Sequence, residues 1–282
     1  MKNAQRITIL SAILLASSLV FFHSCKKKTN EVDSETQSVV DNSICEQEFM
    51  QIQPTTNNMA IKTKGTGAQR LSGVMATCDS LTYISGDTTY TNLSSPPTYS
   101  FSFSNCAAPN TDGVARTGGI WVRFIGRPST VGSKTIIKLL NYNVNGSITY
   151  KCDSIVVKTL SNSIATKSFS ISIVNGECVG NGWNVKYVAD RTITVNTQST
   201  AALSDDVTNV SGTANGVNRN GKTFSVVSNN ITKPSNCKWI TMGTVDVTPE
   251  GLSTRTVDFG NGNCDPDATY TVNGQTIKFV MK

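Results

Sequence analysis

Residues 169–173 read Phe-Ser-Ile-Ser-Ile. Large apolar and small polar residues alternate with a period of two, so one side of the extended chain is apolar and the other wet. That pattern predicts a strand lying with one face on a core. The same alternation recurs at Tyr99-Ser-Phe101-Ser-Phe103 and at Ile277-Lys-Phe279-Val-Met281. From Leu71 to Lys282, Ser, Thr and Asn fill the outward positions, β-branched residues dominate the rest, and helical periodicity is absent.

The turns agree with this reading. Asn-Gly occurs seven times, starting at Asn145, Asn175, Asn181, Asn215, Asn220, Asn261 and Asn273. Asn tolerates positive φ and Gly prefers it, which a two-residue type I′ hairpin requires at both centres. Asn145-Gly146 and Asn273-Gly274 both lie between alternating runs. Direct hairpin connections make antiparallel neighbours, because parallel strands need long crossovers. The expected fold is therefore all-β: an antiparallel meander of roughly a dozen long strands forming a twisted sheet, folded as a sandwich or an open roll. A weak internal echo joins residues 99–124 to 257–279. Each has a Phe-bearing strand, Asn-Cys, a Pro-containing turn and a closing aromatic strand, which suggests two related hairpin modules.

Upstream the pattern changes. Residues 25–70 read as a linker, polar and poor in aromatics between Thr29 and Asn42. A short helix is predicted near Ser34–Met50, with Val39, Val40, Ile44 and Phe49 as its apolar stripe and Pro54 as its stop. Residues 1–24 follow the order of an export signal: basic Lys2 and Arg6, an apolar run from Ile7 to Phe22, and small Ser24 directly before Cys25. A cysteine at the cut point is a lipid acceptor through its thiol and its freed amine, so Cys25 is the expected lipidation site. An uncleaved anchor helix is the competing reading, but an apolar run of sixteen residues is short of the roughly twenty that span a bilayer. The expected organisation is thus 1–24 lipoprotein signal peptide, 25–70 lipid-anchored linker with a short helix, and 71–282 antiparallel β domain.

Cleavage has a chemical consequence. Removing the first 24 of 282 residues leaves 258 and discards His23, the only histidine. Ser-His-Asp and Cys-His catalysis and histidine-liganded metal sites are then excluded by inventory. Lys2 and Arg6 leave with the signal, so 23 of 25 basic residues remain against 19 acidic ones, a formal charge of +4. Three of those charges are Lys26, Lys27 and Lys28 beside the lipid, where anionic head groups attract them. The remaining body is near neutral and carries no electrostatic footprint for nucleic acid.

Seven cysteines follow Cys25. In an oxidising compartment neighbouring strands favour sequence-near pairs, so Cys78–Cys106, Cys152–Cys178 and Cys237–Cys264 are expected, with Cys45 left over. A cysteine metal cluster is disfavoured because no CxxC pair exists. Asp258, Asp265 and Asp267, in a glycine-rich turn, are weak calcium candidates whose spacing does not fit the EF-hand; ordinary turn chemistry is the competing reading, and no cofactor is expected.

Two other functions need weighing. Asp190, Asp205, Asp206, Asp246, Glu250 and Asp258 are the acids available to a carboxylate-based glycoside hydrolase. Trp121, Trp183 and Trp239 with Tyr83, Tyr142, Tyr187 and Tyr270 would form the stacking platform of a glycan-binding surface protein, although each also suits a packing position. Asp79-Ser80-Leu81, Asp87-Thr88-Thr89 and Asp153-Ser154-Ile155 resemble short bacterial O-glycosylation acceptors.

The C-terminal run Thr254-Arg-Thr-Val-Asp-Phe-Gly-Asn-Gly-Asn-Cys264-Asp265 resembles a motif shared by uncharacterised Bacteroidetes cell-envelope lipoproteins, and the likeness extends over most of residues 70–282. The resemblance implies a secreted, lipid-anchored β protein and carries no catalytic residue with it. Lys26–Lys28 stand where lipoproteins of that kind sent to the cell surface resemble one another in acids. An outer-membrane protein facing the periplasm is therefore expected, non-catalytic, held by its lipid and partnered by a polysaccharide or envelope protein.

Overall fold

The computed structural model describes residues 33, 35–62, 80–103, 114–200, 205–237 and 239–281. Among these residues one helix, α1 (Gln37–Lys62), precedes fourteen strands. The first seven are β1 (Ser80–Ser85), β2 (Thr98–Phe103), β3 (Arg116–Ile125), β4 (Lys134–Val144), β5 (Ile148–Lys151), β6 (Ser154–Asn162) and β7 (Thr166–Gly180). The rest are β8 (Trp183–Asn196), β9 (Val207–Val217), β10 (Thr223–Pro234), β11 (Met242–Pro249), β12 (Arg255–Asn261), β13 (Asp267–Val272) and β14 (Gln275–Val280).

All fourteen belong to one sheet, ordered as in the sequence, and every pair is antiparallel. The only departure is that β5 and β6, one behind the other, share the place between β4 and β7. The meander is therefore as the alternation predicts, and with a single sheet it takes the open-roll form rather than the two-sheet sandwich. Asn145-Gly146 and Asn273-Gly274 have positive φ at both residues, as a type I′ turn requires. The echo between residues 99–124 and 257–279 does not mark equal modules: the first copy falls on β2 and β3, the second on three strands, β12 to β14.

The inward face of the sheet is apolar. Phe101, Ile120, Phe124, Ile155, Ile171 and Val195 are all buried on it. The other face carries Ser100, Lys138, Lys158, Ser172, Thr192 and Thr256. Seven pairings contain a register shift, among them Thr117/Gly119, Ile173/Gly176 and Ser228/Ile231. Bulges of this kind add local twist and bend a sheet toward a roll.

The helix lies across the inward face. Its first four turns reach from Arg255 on β12, near Glu35, to Arg116 on β3, at Glu48. Thirteen residues of helix span about 20 Å, whereas the eight strand spacings between β3 and β12 measure about 38 Å laid flat. Sheet curvature and the length of the arginine side chains make up the difference.

Candidate functional site

The densest gathering of chemically capable side chains lies where α1 meets the sheet. The helix face turned inward is Ser38, Asp41, Asn42, Cys45, Glu48, Phe49, Ile52 and Thr56, all buried. These positions follow one another at three- and four-residue steps, as one side of a helix must. Five of them, Ser38, Asp41, Asn42, Glu48 and Thr56, are polar, so the stripe is only partly apolar. The expected stripe of Val39, Val40, Ile44 and Phe49 is corrected here. Phe49 is buried, Val39 and Ile44 are half-buried, and Val40 is 47% exposed. The helix also continues past Pro54 to Lys62. A mid-helix proline costs one backbone bond and about 3 kcal/mol, which the deeply packed turns before it offset.

Each acid on this face meets an arginine from the sheet. Arg116, on β3, donates from Nε and from Nη2 to the two Glu48 oxygens at 2.8 and 3.0 Å. The Tyr142 hydroxyl, on β4, also donates to Glu48. On the other side of the helix, Arg191 grips Glu46 through Nε at 2.8 Å and Nη2 at 2.6 Å, and Tyr187 donates to the same carboxylate. Asp41 accepts the backbone N–H and the Nε of Arg219, both at 2.8 Å, while the Arg219 guanidinium sits 4.1 Å from the ring centre of Trp183. At the helix start, Glu35 accepts the Ser38 N–H at 2.8 Å, capping the first turn, and its backbone carbonyl accepts Nε of Arg255 at 3.0 Å. Arg255 belongs to the C-terminal motif, so one role of that motif is to hold the helix.

Apolar contacts fill the centre of the seam. Phe49 stacks on Tyr187 with ring centres 5.9 Å apart and meets Tyr150 edge-on at 5.6 Å. The Tyr150 hydroxyl donates to the Ile44 carbonyl at 3.0 Å. Close approach needs a missing side chain: a Cβ at Gly176, in the β7 bulge, would stand 3.1 Å from Cζ of Phe49 and 2.6 Å from the Tyr187 carbonyl oxygen. A covalent bond completes the attachment, joining Cys45 to Cys178 on β7 with Cα atoms 6.1 Å apart.

The electrostatics follow from burial. Tyr142 and Tyr187 are pushed well above the ordinary tyrosine value, first by burial and then by the carboxylates beside them. Burial also raises Tyr150. Burial works to lower Arg191, but the hydrogen bonds and charge of Glu46 outweigh it and the guanidinium ends above its usual value. Within the seam, Glu46, Glu48 and Asp41 are each engaged by a guanidinium and the tyrosines stay neutral at physiological pH. Groups with that surrounding hold the helix to the sheet.

The cysteines differ from expectation in one pair. Cys237–Cys264 forms as the spacing suggests. Cys152 and Cys178 do not pair: Cys178 joins Cys45, the residue expected to be left over, and Cys152 is a free, partly buried thiol pushed up to about 12 by burial. The register explains the correction. Cys178 sits opposite Tyr150, two residues before Cys152, and faces the helix. Cys78 and Cys106 lie outside the described residues, as does Cys25.

The remaining candidates are dispersed. Asp258 accepts the Gly260 N–H and Asp265 the Asp267 N–H, so these acids cap turns. Among the described residues no three His, Cys, Asp or Glu side chains converge as metal ligands, and the calcium reading of Asp258, Asp265 and Asp267 is set aside. Asp190 accepts from Ser172, Asp205 from Thr200, Asp246 from Thr256 and Glu250 from Thr223; Asp206 is buried. Asp246 and Asp258 are diagonal neighbours, but on the outward surface of β11 and β12. The aromatic platform does not assemble either. Tyr142 and Tyr187 are buried under the helix, Trp183 packs inward, Trp121 lies outward on β3 beside Lys138, and Trp239 is in the β10–β11 connection. Of the three glycosylation-like tripeptides, Asp79 lies outside the described residues and Ile155 is buried in β6. The Asp87 carboxylate is occupied by Thr89, Thr91 and Asn92 in the β1–β2 loop, which hold it well below the usual range.

The chain matches no protein-family model, no curated protein and no solved structure.

Proposed function

We infer that this protein is a lipid-anchored component of the cell envelope, of the Bacteroidetes lipoprotein kind, with a non-catalytic structural or binding role. The anchor is Cys25, carrying palmitate-type acyl chains after loss of residues 1–24, and the body stands on the outer membrane facing the periplasm. The observation that supports this reading is the attachment of α1. In chain order the helix comes directly after the linker, and it is fixed into the roll by a disulfide and by arginines from β3, β8, the β9–β10 turn and β12. A body held by one terminal lipid takes up a pull through the part of the chain nearest the anchor, and α1 is the first helix or strand among the described residues. Cross-linking that element to widely separated strands passes the pull into the whole sheet instead of peeling one strand from its edge.

The test is metabolic labelling with radioactive palmitate. The intact chain should take up label and sediment with membranes, whereas Cys25→Ala should take up none and appear in the soluble envelope fraction. An unlabelled intact chain, or a Cys25→Ala variant still bound to membrane, would overturn the reading. Protease treatment of intact cells then separates periplasmic from surface exposure: protection is expected.

A further inference from the structure

We propose that β14 is a self-pairing edge through which two copies of the chain join their sheets antiparallel about a two-fold axis. All six β14 residues are exposed, with Ile277 at 58%, Phe279 at 38% and Val280 at 62%, and among the described residues β13 is the strand's only neighbour. Such an edge is a template for another strand.

The hairpin fixes which backbone groups are free. The two-residue Asn273-Gly274 turn makes Val272 and Gln275 a hydrogen-bonded pair, so Gln275, Ile277 and Phe279 direct their backbone groups to β13. Met281, next in that alternation, donates its N–H to the Pro266 carbonyl. Thr276, Lys278 and Val280 therefore point their N–H and C=O groups away from the sheet.

Three features favour a second copy as the occupant. First, β5 and β6 share one place, so among the described residues the sheet has thirteen positions, and with every pair antiparallel β1 and β14 run the same way. A head-to-tail stack adding β1 of one copy to β14 of the next in the same orientation would be parallel; a two-fold axis through β14 gives the antiparallel pair directly. Second, the register centred on Phe279 sets Phe279 opposite Phe279 of the second copy and Ile277 opposite its Met281, all apolar and on the inward face. In the same register Lys278 and Val280 form the hydrogen-bonded pairs, using the free backbone groups. Third, that register is the one that serves Lys278. Centring on Lys278 would oppose two like charges, and centring on Ile277 would put Phe279 against Gln275. Centred on Phe279, each Lys278 faces Val280 of the other copy, whose neighbour on β13 is the exposed Asp267. Two strand spacings, about 9.6 Å, lie within the combined reach of a lysine and an aspartate.

A single strand edge buries less than the roughly 1,200 Å² of stable complexes, so the dimer is reversible and concentration-dependent. The experiment uses the full chain in mild detergent. Phe279→Cys places two thiols at a non-hydrogen-bonded pair, with Cα atoms about 4.5 Å apart, and under mild oxidation should give a reducible dimer absent from the unsubstituted chain. Ile277→Cys, whose partner in this register is Met281, should cross-link at least about tenfold less. Adding Lys278→Pro to Phe279→Cys removes an outward N–H without touching the β13 bonds and should abolish the dimer. Sedimentation of the otherwise unsubstituted chain and of Lys278→Pro gives a second reading without new cysteines: only the former should show mass rising with concentration. Three results would each overturn the proposal. They are a chain that stays monomeric at roughly 100 µM (a free energy near −5.5 kcal/mol), equal cross-linking by Ile277→Cys, and a Phe279→Cys chain that cross-links to a strand of a different protein instead of to its own copy.

Discussion

Replacing Arg116 by Met tests whether charge pairing holds the helix in the roll. The Arg116 side chain is 2% exposed and its partner Glu48 6%, so the substitution leaves a carboxylate buried with one neutral donor, Tyr142. Breaking a buried pair from one side costs about 3–5 kcal/mol, because the remaining charge stays desolvated. At roughly 2–4 °C per kcal/mol for a domain of this size, the melting temperature should fall by about 10 °C. Glu48→Met should cost a similar amount, stranding the guanidinium and the phenol together. The double variant is the informative one. With both charges gone, what remains is an unpaired Tyr142 hydroxyl worth about 1–3 kcal/mol, so Glu48→Met/Arg116→Met should be more stable than either single variant. Adding Tyr142→Phe should recover most of the rest. Urea unfolding under non-reducing conditions gives the free energies, and hydrogen exchange at the α1 amides shows whether the loss is local to the helix. Single variants costing under about 1 kcal/mol, or a double variant as unstable as the sum of the singles, would refute the reasoning.

Other predictions follow from the same seam and its surroundings. Raising the pH should destabilise the fold from about pH 10 upward: Tyr142 and Tyr187 have raised folded-state values, so their contribution is complete below the unfolded value and is lost as the unfolded chain ionises first. Absorbance at 295 nm should show Tyr142 and Tyr187 ionising only on unfolding; their ionisation in the native protein near pH 10 would contradict the burial. Non-reducing peptide mapping should recover Cys45 joined to Cys178 and Cys152 alkylated only after denaturation; a Cys152–Cys178 peptide would be contrary. Cys45→Ala/Cys178→Ala, which opens a loop of sequence separation 133, should cost about 2–5 kcal/mol in urea unfolding. Gly176→Ala should cost about 1–3 kcal/mol by crowding Phe49 and the Tyr187 carbonyl, and Phe49→Ala/Gly176→Ala should cost less than the sum of its parts.

The sheet was legible because its signals are local. Phe169-Ser-Ile171-Ser-Ile173 faces the core as its alternation predicts, and Asn273-Gly274 turns where its φ preference predicts. The seam was not legible, because its signal is split between distant parts of the chain. Apolar periodicity searches for a greasy stripe, and the buried stripe of α1 contains Asp41, Asn42 and Glu48. The partners of Glu48 and Asp41, Arg116 and Arg219, lie 68 and 178 residues further along the chain, on β3 and in the β9–β10 turn, where no local pattern connects them to the helix. A usable signal was present in the spacing of Ser38, Asp41, Cys45, Glu48 and Ile52, polar residues included. The cysteine error has the same root: proximity in sequence favoured Cys152 for Cys178, whereas the helix crossing the sheet brings Cys45 from far upstream.

Strand count and helix answer one another. Among the described residues the meander has thirteen positions, so its two edges, β1 and β14, run parallel and do not offer each other the antiparallel pairing of the other strands. An open roll leaves the inward face in need of cover, and α1 supplies part of it with Cys45, Phe49 and Ile52. A helix with a wholly apolar face would do this too, but it could slide or rotate against a sheet that offers apolar side chains everywhere. Glu48 on one flank and Glu46 on the other, each gripped through two oxygens by an arginine of a different strand, allow one rotation and one register. Buried ion pairs often contribute less to stability than well-packed apolar residues would; what these add is a defined placement of α1 on the sheet.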